Sequence, residues 1–395
     1  MNDAELTAKE KYNVIVIGGG ISGIAAAVSS SRNGAKTLLV EKSINLGGLA
    51  TEGLISLYEP LCDGTGNQMM SGIAEELIKL ACRYGFDNLP SEWSGDSRNK
   101  SRNNRYSTYY SPTVFTLALD KFVAKNDVDV IFDSLATYPM MCGNHCSGII
   151  VENTDGRIKY DADVVIDATG TALILSRAGV PTEIGENYMT YIAHYYNTDM
   201  VKELTETGDI CKFRCWINTG SDMLGNGHPK GLKMLTGVKN DDINKYVQNG
   251  KKTLLDRIRN FDKNSFDIMA LPSMPQFRTI RRIIGAEDFC AEDGKMFDDT
   301  IGICGDFRPD NIGKHYCVPY SSLYNEKFDN LLAAGRIISS PAGNGWEVAR
   351  VIPTCALTGQ AAGTAAALAS LSNRSVYDVD IEKLQETLKN DGVIL

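Results

Sequence analysis

One segment near the start of the chain, from Tyr12 to Glu41, restricts the fold more than any other. It reads as an apolar strand (YNVIVIGG), a glycine turn, a helix of small residues that stops at Asn33-Gly34, and a second apolar strand. Uninterrupted strands of β-branched residues bounded by glycines are typical of parallel sheets that are buried on both faces. The segment therefore predicts a βαβ unit at the start of an α/β domain.

The turn of this unit has the G-x-G-x-x-G spacing, with Gly18, Gly20 and Gly23. In that spacing the first glycine permits a tight turn, the second lets a pyrophosphate approach the backbone, and the third lets the helix pack closely on the strand. The helix N-terminus also offers free N–H groups to phosphates. Glu41 stands where a carboxylate can accept both ribose hydroxyls and would repel a 2′-phosphate. The pattern predicts a dinucleotide site that disfavours NADP.

The rest of the chain divides into regions with different sequence patterns. Residues 52–127 follow a helical pattern, which a polar segment at 91–105 interrupts as a surface loop or a lid. Short strands from Val128 to Gly170 predict a β-meander that returns to the main sheet. Residues 185–314 are irregular with two helical segments, and NLLAAGRII then restores a buried strand. We expect a Rossmann-like domain of parallel sheet, helices and meander in 1–184 and 315–395, interrupted by an α+β domain in 185–314.

Charge and targeting signals exclude several classes of protein. The net charge is -9 with no polybasic block, which argues against a nucleic-acid partner. No apolar stretch is long enough to span a membrane, and the first residues carry no secretory signal. Ten cysteines without such a signal read as reduced thiols. We therefore expect a cytoplasmic protein.

Two later motifs indicate which dinucleotide binds. EKSINLGGLAT places Gly47 and Gly48 shortly after Glu41, and VVIDATG ends a strand before Thr169 and Gly170. Together with VPYSSL, NLLAAGR and IPTCALTGQAAGTAAALA, these motifs resemble the FAD-dependent oxidoreductases of the glutathione-reductase-like flavoprotein superfamily. The narrower resemblance is to the FAD-dependent oxidoreductase family that includes the flavin domain of heterodisulfide reductase.

This resemblance implies FAD in an extended form, with its adenine at the first βαβ unit and its isoalloxazine near the C-terminal helix. The flavin contacts that it implies are Gly18, Gly20, Ile21, Ser22, Gly23, Glu41, Lys42, Gly47, Gly48, Leu49, Ala50, Thr51, Ala168, Thr169, Gly170, Gly335, Arg336, Gly359, Gln360 and Ala361. In one respect the chain departs from the superfamily. Many members have Gly-Asp where this chain has Gly335-Arg336, which leaves the role of Arg336 open.

The same resemblance narrows the chemistry. A disulfide reductase of the superfamily has two cysteines just after the double glycine, where this chain has Leu49 and Ala50. No second G-x-G-x-x-G unit followed by an acidic residue is present, which argues against a separate NAD(P)H domain. We therefore expect the flavin to exchange hydride with a small molecule and electrons with a separate acceptor or donor.

Polar residues ahead of the C-terminal helix and in the inserted region are candidates for that chemistry. The catalytic candidates are His315, Tyr316 and Arg350, and the substrate-binding candidates are Arg278, Arg281, Asn344 and Glu347. Histidine or tyrosine could move a proton while hydride is transferred. A cluster of arginines suits an anionic substrate through bidentate hydrogen bonds, and it equally suits an ion-pair network at the domain junction.

The motif CGNHC raises the question of a metal, because Cys142, His145 and Cys146 lie close together. The spacing is C-x₃-C on a hairpin and no second pair has zinc-site spacing, so a structural turn is favoured and no metal is expected. Cys211 and Cys215 have the same spacing and the same interpretation.

The sequence leaves two other functions open. The chain could be a non-catalytic or electron-transferring flavoprotein within a larger complex, which would need a partner chain because no iron–sulfur cysteine run is present. It could also be an enzyme that uses NAD as a bound reactant, resembling the thiazole synthases of the same fold. A homo-oligomer is compatible with either.

The segment PTCALTGQAAGTAAALA predicts a helix with almost no large side chains. Proline is well accommodated in a first turn, which suits Pro353. Gly359, Gly363 and Ala367 recur every four residues, so one face should let another element approach at backbone distance. The N-terminus of this helix is expected at the flavin's pyrimidine edge, where the helix dipole stabilises negative charge.

Overall fold

The computed structural model describes residues 8–86, 89, 107–213, 215–222 and 225–395, so the polar segment 91–105 lies outside the described residues. The strands in chain order are β1 (Ala8–Ile17), β2 (Thr37–Val40), β3 (Leu57–Tyr58), β4 (Thr108–Tyr109), β5 (Asp129–Ile131), β6 (Leu135–Cys142), β7 (His145–Asn153), β8 (Gly156–Asp167), β9 (Thr182–Ile184), β10 (Thr190–Asn197), β11 (Cys215–Gly220), β12 (Phe266–Ala270), β13 (Arg281–Ile283), β14 (Thr300–Gly305), β15 (His315–Pro319) and β16 (Leu331–Ala333). The helices are α1 (Ile21–Arg32), α2 (Ile73–Tyr84), α3 (Pro112–Lys125), α4 (Leu173–Ala178), α5 (Thr198–Thr207), α6 (Asn240–Ile258), α7 (Trp346–Ala349), α8 (Ile352–Ser372) and α9 (Ile381–Asn390).

The main sheet has the strand order β5-β2-β1-β8-β7-β6, and β16 also pairs with β8. The pairs β1–β2, β1–β8, β2–β5 and β16–β8 are parallel, whereas β6, β7 and β8 form an antiparallel meander. The predicted α/β class, with its opening βαβ unit and its meander, is therefore confirmed. Helix α1 ends at Asn33 and Gly34, as the sequence indicated.

The carboxyl ends of four parallel strands meet at one edge of this sheet. Ile17 at the end of β1 lies opposite Val40 of β2 and Asp167 of β8, and Ala333 of β16 also lies opposite Asp167. The segments that follow these strands carry the motifs singled out in the sequence. Ligands of open α/β sheets bind at such an edge.

Helix α8 crosses α1 at backbone distance, as its small residues predicted. A Cβ atom added to Gly359 would lie 2.2 Å from the carbonyl oxygen of Ser22, and one added to Gly363 would lie 2.1 Å from that of Ala26. The Ser29 and Thr364 hydroxyls are hydrogen-bonded at 2.7 Å between the two helices. Within the described residues, no helix combines the length and apolar character needed to cross a membrane.

A second hydrophobic core lies in the inserted region. It is formed by Met189, Tyr191, Ala193, Ile217, Leu235, Tyr246, Leu254, Phe277 and Ile280. Around it lie α6 and a three-stranded antiparallel sheet of order β11-β10-β12, whose strands the sequence had not located individually. Ile301, Cys304 and Tyr316 belong instead to the larger core under the main sheet. The domain boundaries at 185 and 314 stay predictions.

Three side chains of this inserted region, which we name the cap, hydrogen-bond to the segment 53–56. Gln276 Nε2 donates to the Gly53 carbonyl at 2.7 Å, His194 Nε2 lies 3.1 Å from the Leu54 carbonyl, and Trp216 Nε1 donates to Ser56 Oγ at 3.2 Å. These bonds join the cap to the segment that follows the double glycine, and they supply partners for its backbone carbonyls.

Candidate cofactor and substrate site

A groove of about 1120 Å³, part of it open to solvent, runs along the carboxyl edge of the main sheet. Its lining residues are Ile17, Gly18, Gly20, Ile21, Ser22, Val40, Glu41, Lys42, Gly47, Gly48, Leu49, Ala50, Glu52, Ser134, Leu135, Ala136, Ala168, Thr169, Gly170, Thr171, Leu173, Met274, Arg336, Arg350, Ile352 and Cys355. The groove therefore brings together the glycine turn, Glu41, the double glycine, the turn after β8 and the start of α8.

The three glycines of the turn have three different surroundings. Gly18 has a left-handed backbone, with φ of +98°, which favours glycine. A Cβ atom on Gly23 would lie 1.8 Å from the Gly18 carbonyl oxygen, so only glycine lets α1 pack against this turn. A Cβ atom on Gly20 would meet nothing within 4 Å. The free space beside Gly20 opens into the groove, where a phosphate could approach the backbone.

Glu41 is held in place by two backbone donors. Its Oε2 accepts the Gly19 N–H at 2.5 Å and its Oε1 accepts the Ser43 N–H at 2.8 Å. Burial raises the pKa of this carboxyl, while the two hydrogen bonds oppose that rise. Each oxygen keeps acceptor capacity for a further donor, such as a ribose hydroxyl.

The turn after β8 is shaped by a buried carboxylate. Asp167 is fully buried and accepts hydrogen bonds from the N–H groups of Thr169 at 3.0 Å, Ile174 at 2.9 Å and Leu175 at 3.1 Å. These bonds cap α4 and satisfy N–H groups that its first turn leaves free. Thr169 and Gly170 are thereby presented to the groove.

Arg336, whose role was open, joins the turn after β8 to the cap. Its Nε donates to the Gly170 carbonyl at 2.7 Å and its Nη1 to the Phe277 carbonyl at 2.6 Å. The backbone carbonyl of Arg336 in turn accepts the Trp346 indole N–H at 2.6 Å. Burial lowers the pKa of the guanidinium to about 10, which still leaves it charged at neutral pH. The chain therefore presents a cation where many members of the resembled superfamily have an aspartate.

The first turn of α8 reaches the groove, and its middle does not. Val351 caps the helix, Pro353 lies in its first turn, and Ile352 and Cys355 line the groove. Burial raises the pKa of the Cys355 thiol to about 12, so it is protonated at neutral pH.

Six residues that the resemblance implied as flavin contacts lie outside the groove lining: Gly23, Thr51, Gly335, Gly359, Gln360 and Ala361. For several, other contacts explain the residue. Gln360 Oε1 accepts the Ile73 N–H at 2.8 Å, and Ala361 is fully buried in the core. A Cβ atom on Gly335 would lie 2.6 Å from Ser22 Oγ. As flavin contacts, these six positions stay predictions.

Of the three catalytic candidates, the structure places one at the groove and two away from it. Arg350 lines the groove. Tyr316 is buried and donates its hydroxyl proton to Asp306 Oδ2 at 2.7 Å, while the His315 ring lies 3.5 Å from the Gly313 carbonyl. Neither of these two residues lines the groove.

The remaining candidates have various local partners. Arg281 Nη1 donates to the Thr171 carbonyl at 3.1 Å, and Asn344 Nδ2 donates to Glu292 Oε1 at 3.4 Å. Glu347 Oε1 accepts the Gly343 N–H at 3.1 Å. Of these four candidates, Arg278 alone has no side-chain hydrogen bond or ion pair with another described residue; its backbone N–H donates to Asn187 Oδ1 at 2.9 Å.

Several lining residues carry no signal in the sequence. Met274 comes from the cap, Ser134 and Leu135 lie just before and at the start of β6, and Cys355 comes from α8. They reach the groove through tertiary packing of distant segments. Of these four residues, only Cys355 lies in one of the motifs described above, IPTCALTGQAAGTAAALA. The pattern of that helix gave no reason to single it out.

The cysteines and histidines of the hairpin motif do not converge. Cys142 is exposed and Cys146 is buried, and Cys142 pairs with His145 across the β6–β7 turn. The hairpin itself is thus confirmed. Among the described residues no group of three or more histidine, cysteine, aspartate or glutamate side chains is arranged to hold a metal ion.

Comparison with known proteins identifies the family. The model of the family "FAD dependent oxidoreductase" matches residues 13–190 and 234–388. No curated protein matches the chain significantly.

Solved structures with a similar fold have low sequence identity. A geranylgeranyl bacteriochlorophyll reductase-like protein from Thermoplasma acidophilum is 14% identical, with 96% of this chain and 83% of that chain covered and a TM-score of 0.47. The p-nitrophenol 4-monooxygenase from Pseudomonas putida DLL-E4 is 11% identical, with 97% and 88% covered and a TM-score of 0.48. L-proline dehydrogenase from P. horikoshii is 12% identical, with 98% and 100% covered and a TM-score of 0.44. Nothing about substrate follows from likenesses this distant.

The family match spans most of the chain, and both of its segments contain groove-lining motifs. The chain therefore belongs to the FAD dependent oxidoreductase family, and it is an oxidoreductase whose cofactor is FAD.

Proposed function

We propose that the protein transfers hydride between FAD and a small anionic organic molecule, and that electrons are exchanged with a separate acceptor or donor. The observation that carries this proposal is the charge at one end of the groove. Arg336 and Arg350 line it, and neither is within ion-pair distance of a carboxylate in the described part of the chain. Cations placed there favour an anionic ligand.

Within this proposal the groove holds FAD along its length. Glu41, Lys42 and the segment 134–136 bind the adenosine end, while the Gly18–Ser22 turn and the N-terminus of α1 bind the pyrophosphate. The open space at Gly20 and the two acceptor oxygens of Glu41 fit these groups. When bound, FAD supplies the centre that accepts or donates hydride.

The other end of the groove is where this chain would hold the reacting molecule. Ala50, Met274, Ile352 and Cys355 line it together with the arginines. The apolar side chains exclude water. Gln276 and His194 of the cap hydrogen-bond to segment 53–56 and hold the cap in position. The N–H groups of the first turn of α8 favour negative charge beside them.

The finer family relationship is part of the proposal. The motifs EKSINLGGLAT, VVIDATG and IPTCALTGQAAG support membership of the glutathione-reductase-like superfamily and kinship with the flavin domain of heterodisulfide reductase. A two-part FAD-binding domain in 1–184 and 315–395, with the cap in 185–314, is proposed on the same grounds.

A spectrum of the purified protein tests the cofactor half of the proposal. Oxidised flavin absorbs near about 370 and 450 nm, and these bands should be present and should bleach under anaerobic conditions with a true substrate. A panel that pairs each carboxylic acid with its neutral amide or alcohol tests the anionic half. Bleaching by the neutral members alone would contradict the anionic substrate, and absence of the bands after reconstitution would contradict the whole proposal.

Glu41→Gln should weaken FAD binding about 10- to 100-fold, because the amide offers the ribose only one acceptor oxygen in place of two. Burial raises the pKa of Glu41 above its ordinary value of 4.5. The ionised form is the one that accepts both hydroxyls, so native FAD affinity should fall as the pH falls through that raised pKa. Titration of apoprotein with FAD between about pH 5 and 8 measures both effects. The Glu41→Gln variant should lack this pH dependence. If its FAD affinity changed with pH in parallel with that of the native protein, binding of the ribose by Glu41 would be contradicted.

A further inference from the structure

Three arginines interact at or beside one end of the groove: Arg336 and Arg350 line it, and Arg278 of the cap, which does not line it, acts on Arg350 through its charge. Arg336 is tied through its Nη1 to the carbonyl of Phe277, the residue before Arg278. The Arg336 carbonyl accepts the Trp346 indole N–H, and the Trp346 carbonyl accepts the Arg350 N–H at 3.3 Å. These bonds hold the cap backbone next to Arg278 against Arg336, and they hold Arg350 in the segment before α8.

Among the described residues, no counter-charge is in contact with Arg278 or Arg350. Other arginines of the chain are paired, as Arg282 is with Glu183 and Asp288, and Arg308 is with Asp306. In the described part of the chain, neither the Arg278 nor the Arg350 guanidinium has a hydrogen bond or a carboxylate within 4.0 Å. Glu347 influences Arg350 only from a distance.

The two guanidinium groups also repel each other. Burial lowers the pKa of Arg350 to about 10, and among nearby charges Arg278 lowers it most. Burial lowers the pKa of Arg278 as well. Two like charges in a partly desolvated site cost free energy unless an anion lies between them. The forked geometry of guanidinium groups suits a planar anion with two oxygens.

We propose that a carboxylate group of the substrate bridges Arg278 of the cap and Arg350 of the main domain. This inference rests on the proposed function and specifies it: the reacting molecule is a carboxylic acid, and its binding connects the two parts of the chain. Arg336, already bonded to two carbonyls, fixes the spacing between the two arginines and is a positioning residue.

The test uses the FAD-loaded protein in a low-salt zwitterionic buffer, with propionate and its neutral amide, propionamide, as probes. Propionate should perturb the flavin absorption saturably and raise Tm, because a ligand that binds only the folded state stabilises it. Propionamide should do neither. Arg278→Gln and Arg350→Gln should each weaken propionate binding at least about 10-fold, since each removes a charge-assisted hydrogen-bond pair.

The matched control is Arg259→Gln, which removes an exposed arginine of the cap. It should bind propionate like the native protein. Without propionate, Arg278→Gln and Arg350→Gln should melt no lower than this control, because each relieves like-charge repulsion. Lower melting of both variants would indicate a structural role and overturn the proposal.

Other outcomes would overturn it in other ways. Equal effects of propionate and propionamide would mean that charge is not recognised. Loss of binding in Arg350→Gln alone, with Arg278→Gln like the control, would mean that no bridge forms. A loss of FAD affinity in both variants, with propionate binding retained, would assign the arginines to the pyrophosphate. Failure of the native protein to bind FAD would contradict the proposed function itself, a result distinct from these.

Discussion

Gly20→Ala is expected to fold like the native chain and yet lose about 100-fold in FAD affinity. The backbone of Gly20 has φ of -68°, which alanine adopts without strain, and an added Cβ atom would meet no protein atom within 4 Å. The methyl group would instead occupy the part of the groove where we place the pyrophosphate. Forcing a methyl group into a close contact costs about 1 to 3 kcal/mol, and 2.7 kcal/mol corresponds to roughly 100-fold in affinity.

The matched comparison is Gly23→Ala, three residues further along the same turn. Its Cβ atom would lie 1.8 Å from the Gly18 carbonyl oxygen and 3.2 Å from the Ala168 side chain. That contact cannot be relieved unless α1 moves away from the sheet, so this variant should lose folded protein. Far-UV circular dichroism, Tm of the apoprotein and titration with FAD separate the two outcomes. Native FAD affinity in Gly20→Ala would contradict the placement of the pyrophosphate.

The glycine turn illustrates what the sequence could predict. The functions of Gly18, Gly20 and Gly23 are set by contacts within a few residues or with an adjacent strand, so their spacing carries the information. The same is true of Glu41, which follows β2 directly. Because this geometry is short-range, the sequence could predict the glycine turn and the position of Glu41.

The part of the groove that contains the arginines was harder to predict from the sequence. Arg278 is far in sequence from Arg336 and Arg350, and the contact of Arg336 with the Phe277 carbonyl brings its part of the chain next to theirs. Which arginines are paired is also a tertiary property: neighbouring Arg282 has two carboxylate partners, whereas Arg278 has none among the described residues. The sequence indicated an arginine cluster and left open whether it bound a substrate or formed ion pairs.

In helix α8, the spacing of small residues and the family resemblance give different information. The four-residue spacing of Gly359 and Gly363 predicted a backbone contact, and the structure supplies the partner, α1. The resemblance implied Gln360 as a flavin contact, which stays a prediction; in the structure its side chain accepts a hydrogen bond from the start of α2. The spacing of small residues follows from the steric needs of this chain itself, whereas a resemblance carries over contacts seen in other chains.

Gly363→Ala should destabilise the apoprotein by about 3 kcal/mol, although alanine is the better helix former by about 1 kcal/mol. The added Cβ atom would lie 2.1 Å from the Ala26 carbonyl oxygen, so α8 and α1 must separate. Urea unfolding followed by circular dichroism measures the loss. Leu371→Ala, at a residue of α8 that is 57% exposed, is the control and should change the free energy of unfolding by less than about 1 kcal/mol.

The direction of this effect separates two explanations of the small residues in α8. If glycine at 363 reflected only tolerance, alanine would stabilise the helix, and an increase in the free energy of unfolding would contradict the close crossing. If the crossing is required, the separation of α1 must also disturb the turn at its N-terminus, because Gly359 meets Ser22 in the same interface. Gly363→Ala should therefore weaken FAD binding as well, even though residue 363 lies outside the groove lining. Loss of stability with unchanged FAD affinity would show that the crossing supports the fold without setting the geometry of the cofactor site.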